Sequence, residues 1–127
     1  MFNILFVGVG GFIGSVLRYA VGGYVQRISG SVDFPYGTLA VNLIGCFVIG
    51  LFSQLAESRG MFSPEARALI FIGVLGGFTT FSSFGNETIN LAIDRQSGSV
   101  LMNVGANVMF GLALVWLGRT LGYLLWR

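Results

Sequence analysis

Four long apolar stretches, joined only by short polar connections, make up almost the whole chain. A helix needs about 20 predominantly apolar residues to cross a bilayer core that is about 30 Å thick. Stretches that meet this requirement run over about residues 2–25, 35–56, 63–93 and 99–126. Only 9% of the 127 residues are charged, whereas a soluble domain carries about 25%. The sequence therefore predicts an all-α membrane protein, with four transmembrane helices in a single domain over residues 1–127.

The composition also excludes several classes of protein. The chain has no His, and its single cysteine, Cys46, cannot form an intrachain disulfide or a cysteine metal site. The basic residues are all Arg and do not cluster, so we expect no nucleic-acid partner. No set of nucleophile, base and orienting group can be assembled from the polar residues, so we do not expect an enzyme.

The third stretch contains the segment GGFTTFSSFGNE, residues 76–87, in which two glycines precede four hydroxyl side chains. The stretch is too long for one straight crossing, and glycine weakens a helix. We therefore expect a break near Gly76-Gly77 that divides the third helix, in the middle of the membrane, into two half-helices. Ser63, followed by a proline, is typical of an N-cap at the start of this helix. Asp33 is expected to cap the second helix, with Pro35 in its first turn.

The distribution of Arg predicts little preference for one orientation in the membrane. Lys and Arg in short loops set orientation, and four spans place both termini on one side. That side has four Arg and the other has three, which are respectively Arg59, Arg67, Arg119 and Arg127, and Arg18, Arg27 and Arg95. Such a weak bias permits insertion in both directions and hence an antiparallel homodimer. A single orientation set by another signal remains the alternative.

Polar side chains inside the predicted spans need partners, because hydrocarbon offers none. Asn42 lies in the second span, and Asn103 and Asn107 are spaced by four residues in the fourth. Such amides either hold helices together, at about 1 kcal/mol each, or line a polar path. Phe81 and Phe84 share a face beside the hydroxyl-rich segment, and the positive edges of their rings could line an anion path. The residues alone thus indicate a small oligomeric membrane protein with a donor-rich path for a small ion.

Three motifs carry a more specific resemblance, and it covers the whole chain. The segments GGFIGSVLRY at 10–19, YGTLAVNLIG at 36–45 and GGFTTFSSFGNE at 76–87 resemble the Fluc (CrcB) family of fluoride channels. The resemblance implies an antiparallel, dual-topology homodimer in the plasma (inner) membrane, with two pores. It implies passive export of fluoride, which lowers cytoplasmic fluoride, and strong rejection of chloride.

The resemblance also implies roles for individual residues. Backbone carbonyls of Gly76 and Thr79 from both subunits would hold one structural sodium ion at the centre of the dimer. Arg18 and Glu87 would lie near the pore mouths, although the alternative for Glu87 is a solvated helix end. The residues that the resemblance places along the fluoride pore are Asn42, Phe81, Ser82, Ser83, Phe84, Asn103 and Asn107.

Two other functions fit parts of the pattern. A small multidrug-type exporter of organic cations can also be a four-helix, dual-topology dimer, but its proton coupling needs an acidic residue deep in a span, typically the first. The first span here has none. A non-transporting membrane subunit held together by small-xxx-small glycine pairs would leave the TTFSSF segment without a purpose.

Overall fold

The computed structural model of the protein describes residues 2–126 and is entirely helical. Its helices are α1 (Phe2–Ser29), α2 (Tyr36–Arg59), α3 (residues 64–78), α4 (Phe81–Ile93) and α5 (Ser97–Leu125). The α3 and α4 helices together form the third span, so four segments are long and apolar enough to cross a membrane. The prediction of an all-α protein with four membrane helices is thus confirmed. The first helix continues four residues beyond the predicted end at residue 25 and stops before Gly30, which has φ +65°.

Glycine allows the helices to pack backbone against backbone in two pairs. In the α1–α3 pair, a Cβ added at Gly10 would lie 2.9 Å from Gly73 Cα. In the α2–α5 pair, a Cβ added at Gly118 would lie 2.8 Å from the backbone nitrogen of Leu51. Real Cβ atoms do not approach so closely, so only glycine permits these contacts. The small-xxx-small pairs of the sequence, Gly10/Gly14, Gly73/Gly77 and Gly118/Gly122, are therefore places of close helix approach.

The two predicted helix caps have different outcomes. The Ser63 hydroxyl accepts a hydrogen bond from the Ala66 backbone amide at 3.2 Å and caps α3 as predicted. The prediction for Asp33 is wrong, because α2 begins at Tyr36 after Pro35 and receives no cap from the side chain at its N-cap position. Proline lies immediately outside that helix, and a side chain from α1 supplies the missing acceptor, as described below.

The third span is interrupted two residues later than predicted. Gly76 and Gly77 are helical, whereas Thr79 (φ −86°, ψ 159°) and Thr80 (φ −152°, ψ 117°) are extended. The prediction of a break at the glycines is therefore wrong in position. Gly77 instead serves close packing, since a Cβ there would lie 2.7 Å from the Gly11 carbonyl oxygen. The break falls at Thr80 because its hydroxyl caps the following helix by accepting from the Ser83 amide.

Two spans also contain wider, π-helical turns. One covers Ala68–Leu75 and is separated from the break by the short helical stretch Gly76–Phe78, and the other covers Ala106–Phe110 in α5. Such turns are rare and are frequently found at functional sites. Here they flank the cavity described next, because both contribute residues to its wall.

Candidate functional site

A cavity of about 390 Å³ lies beside the break in the third span. Its wall includes Asn42 from α2, Thr80 from the break, Phe81 and Phe84 from α4, and Asn107 from α5. No charged side chain is among its lining residues. The cavity therefore combines aromatic rings with neutral polar groups, and we call it the central cavity.

The amide of Asn42 holds the extended backbone of the break. Its Oδ1 accepts from the Thr80 backbone N–H at 2.9 Å, and its Nδ2 donates to the Thr80 carbonyl at 3.2 Å. Nδ2 also donates to Oδ1 of Asn107 at 3.1 Å. Both N–H groups of Asn42 are therefore engaged. Because Thr80 N–H can only donate, it fixes which end of the amide is oxygen.

From Asn42 the hydrogen bonds run in one direction along α5 and back to α4. Asn107 Nδ2 donates to Asn103 Oδ1 at 3.1 Å and to the Asn103 carbonyl at 2.9 Å. Asn103 Nδ2 donates to the Thr88 hydroxyl at 2.9 Å, which donates to the Phe84 carbonyl at 2.7 Å. These groups form a relay, defined by Asn42, Asn107, Asn103 and Thr88. Its orientation follows from the break, and it ends on the helix that carries the phenylalanine pair.

The break diverts the usual donors of two backbone carbonyls. In a continuous helix the Thr80 amide would donate to the Gly76 carbonyl, and the Ser83 amide to the Thr79 carbonyl. Here the Thr80 amide donates to Asn42, and the Ser83 amide donates to the Thr80 hydroxyl at 3.2 Å. The two carbonyls that were predicted to hold a cation are thus among those that the break leaves without a helical donor. No cluster of His, Cys, Asp or Glu suited to a metal ion occurs among residues 2–126.

The two phenylalanines lie together at the start of α4. Their ring centroids are 5.5 Å apart and the rings are tilted by 57°. Phe84 is half-buried against the chain, whereas 83% of Phe81 is exposed. The Phe81 side chain therefore points away from the rest of the chain at the edge of the central cavity.

A second cavity of about 610 Å³ opens towards the α1–α2 loop, and we call it the outer cavity. Its lining includes Arg18, Gln26, Asp33, Thr38 and Glu87. Residue Thr80 lines both cavities, and the wall of the outer cavity also contains Ser83. The hydroxyl cluster at the break therefore separates an outer cavity with charged groups from a central cavity without them.

The predicted position of Glu87 at a pore mouth corresponds to the wall of the outer cavity. Its Oε1 accepts from the Thr38 hydroxyl at 2.7 Å. Its Oε2 is buried and has no hydrogen-bond partner among the described residues. Arg18 lines the same cavity but forms no ion pair with Glu87. The side chain thus joins α2 to α4 rather than forming a fully solvated helix end.

The structure brings most predicted site residues together, with two differences. Asn103 is 1% exposed, so it faces the relay rather than open space. Ser82 is exposed on the outer side of α4, although its hydroxyl lies 3.3 Å from that of Thr80. Sequence reasoning missed Thr88 and Gln26, whose partners lie on other elements. Thr88 follows Phe84 by four residues, and that shared face was the available signal.

The chain is similar in sequence to known fluoride channels over nearly its full length. The family model described as CrcB-like protein, Camphor Resistance (CrcB), matches residues 5–119. The fluoride-specific ion channel FluC 1 of Methanosarcina acetivorans is 46% identical over 119 residues, which cover 94% of this chain and 89% of that one. The FluC of Rhizobium leguminosarum bv. trifolii is 54% identical over 122 residues, which cover 91% of this chain and 97% of that one. The FluC of Methylobacillus flagellatus is 43% identical over 118 residues, which cover 93% of this chain and 92% of that one.

Proposed function

This chain belongs to the CrcB family of fluoride channels, and we propose that fluoride crosses the membrane passively through the two cavities that meet at Thr80. It is a multi-pass membrane channel and not an enzyme. The observation that carries the proposed route is the central cavity, where Asn42 and the phenylalanine pair meet without any charged side chain. The exporter alternative is not supported, since α1 contains no acidic residue.

The chemistry of the route suits a small, strongly hydrated anion. Such an ion loses its water only where donors and positive ring edges replace it, and it must also be released. Arg18 attracts the anion into the outer cavity, and the hydroxyls of Thr80 and Ser83 lead it to Asn42. Because both N–H groups of Asn42 already donate, fluoride takes the place of the Asn107 oxygen rather than filling an idle site. This exchange keeps binding weak enough for passage.

We attribute the exposed surface beside the break to a second copy of the chain in an antiparallel homodimer. Phe81, Gly76, Ser82 and Asn86 are all exposed on the third span, well away from its ends. Polar groups and an open backbone at membrane depth are tolerated where protein covers them. A partner in the opposite orientation brings its own Phe81 to this surface and gives the assembly two equivalent pores.

The carbonyls of Gly76 and Thr79, which lack their helical donors, suit the central sodium ion that the family resemblance implies. Hard cations such as Ca²⁺ and Mg²⁺ take oxygen ligands, and main-chain carbonyls are among them. Gly76 and Thr79, from both subunits, would supply such oxygens at the exposed surface of the break. When bound, the ion adds a fixed positive charge near the anion path. The chain itself shapes this site by giving the Thr80 and Ser83 amides other acceptors.

The function is tested by anion efflux from liposomes that contain the purified protein. Fluoride and chloride electrodes used in parallel will record rapid fluoride release and no chloride release. Protein-free liposomes supply the background. If well-folded dimers release no fluoride, the proposal fails, and transport of a cationic dye driven by a proton gradient becomes the next measurement.

Dual topology is tested by labelling in intact and opened cells. A cysteine added at either terminus, with Cys46 replaced by alanine, will react from both sides of the membrane, because the Arg bias is weak. Adding lysines at Ser58 and Met61, both exposed near one membrane surface, should fix one orientation and make labelling one-sided. One-sided labelling of the chain without those lysines would end the antiparallel proposal.

A further inference from the structure

The carboxamide of Gln26 joins α1, the α1–α2 loop and the start of α2 through three hydrogen bonds. Its Nε2 donates to the Ser31 carbonyl at 2.8 Å and to the Phe34 carbonyl at 3.0 Å. Its Oε1 accepts from the Gly37 backbone N–H at 2.9 Å. Every N–H group of the side chain is therefore engaged. Because two partners can only accept and the third can only donate, the orientation of the amide is unambiguous.

This side chain supplies the cap that α2 lacks. The first N–H groups of a helix have no partner within the helix. Pro35 precedes α2 and provides no side-chain acceptor, and Asp33 does not reach the helix. Gln26 caps the Gly37 amide from the neighbouring helix instead. Close packing supports the contact, since a Cβ added at Gly37 would lie 3.3 Å from Gln26 Cβ.

The three bonds hold one wall of the outer cavity. Residues 32–35 of the loop line that cavity, as does Gln26 itself. The residue after the capped Gly37 is Thr38, whose hydroxyl donates to Glu87, and both side chains line the same cavity. The width of the opening and the position of the Thr38–Glu87 contact thus both depend on where Gln26 holds the loop and the end of α2.

We propose that Gln26 is a positioning residue for ion access: its carboxamide holds the loop and α2 in the arrangement that keeps the outer cavity open to fluoride. The inference rests on the proposed fluoride route and assigns to that route a residue that does not touch the ion. Both carbonyls need a donor and Gly37 needs an acceptor, so a neutral amide meets all three demands. A carboxylate can only accept from the Gly37 amide and leaves both carbonyls without a donor. A protonated carboxyl can accept from Gly37 and donate to one of the two carbonyls.

Single-channel recording in planar bilayers tests the proposal, because it samples only folded channels and detects ionic fluoride. We expect Gln26→Leu to lower the mean fluoride current about fivefold at every pH, the effect of a barrier about 1 kcal/mol higher. We expect Gln26→Glu to be equally impaired at about pH 8 and to regain current as the pH falls and the carboxyl protonates. The wild type, recorded over the same range, accounts for titration of the other groups on the cavity wall, namely Arg18, Tyr19, Asp33 and Glu87.

Gln96→Glu is the matched control at the same membrane surface. The Gln96 Oε1 accepts from the Ser99 hydroxyl, and a carboxylate can do the same. The fluoride current of this variant should therefore follow the wild type at every pH. Wild-type current in Gln26→Leu would overturn the proposal, even with a pH-dependent Gln26→Glu, since a charge at the mouth would then suffice. A pH-independent Gln26→Glu would overturn it as well. A wild type without fluoride current would instead refute the proposed function, and this inference with it.

Discussion

Replacing Phe81 or Phe84 by isoleucine will lower fluoride flux by about 100-fold or more, which corresponds to a loss of about 2.7 kcal/mol of stabilisation in the pore. Isoleucine preserves an apolar side chain but has no positive ring edge to face an anion. The two rings lie 5.5 Å apart at the boundary of the central cavity, so each loss acts on the same section of the route. Fluoride efflux from liposomes measures the effect.

The dimer should survive both substitutions, since isoleucine keeps an apolar side chain on the surface that we attribute to the partner, and Phe84 is only half-buried. Size-exclusion chromatography will show whether it does. Phe12→Ile is the matched control, because Phe12 is also exposed but lies on α1, away from both cavities. Ordinary flux in either pore variant would remove the phenylalanines from the route.

Asn42→Leu will suppress fluoride flux to a similar extent while the protein remains folded. The substitution removes the N–H group that fluoride would meet in place of Asn107, and it also releases the Thr80 N–H and carbonyl that fix the break. An unpaired buried polar group costs about 1–3 kcal/mol, and interhelical hydrogen bonds in membranes average about 0.6 kcal/mol. The loss of these hydrogen bonds distorts the break, but the energies involved are small beside those of packing four spans. Efflux and chromatographic elution of the same sample separate the two effects.

Two other asparagines make the test of Asn42 more specific. Asn107→Leu removes one acceptor of the Asn42 amide but leaves both bonds to Thr80, so we expect a smaller loss of flux. Asn3→Leu, on an exposed part of α1, should have no effect. If Asn42→Leu transports fluoride at the wild-type rate, Asn42 serves only to hold helices together.

Much of the architecture could be predicted because the bilayer imposes strict requirements on composition and length. The four spans follow from apolar stretches long enough to cross it, and the Ser63 cap from a local pattern of serine followed by proline. The spacing of Asn103 and Asn107 correctly placed both amides on one face of α5. These features depend on residues close together in sequence, which is why the sequence alone was informative about them.

The errors concern interactions between distant parts of the chain. The two glycines at residues 76 and 77 led to the prediction of a break there, but Gly77 packs against α1. The break lies instead where the Thr80 amide donates to Asn42. Asp33 was adjacent to the expected helix start, yet Gln26 on α1 provides the cap. Spacing within a segment cannot identify a hydrogen-bond partner on another helix. The same limitation hid the pairing of Thr88 with Asn103.

The helix that carries the phenylalanine pair buries little of itself against the rest of the chain. With 13 residues, α4 spans about 20 Å, and Leu91 is the residue that it buries. Polar contacts to α2 and α5 hold it, whereas glycine-mediated packing holds the other helices in pairs. Weakly packed units open at lower free energy than the whole protein. We therefore expect substitutions in α4 to lower flux along the proposed route with little effect on unfolding of the whole protein, to which cellular quality control responds.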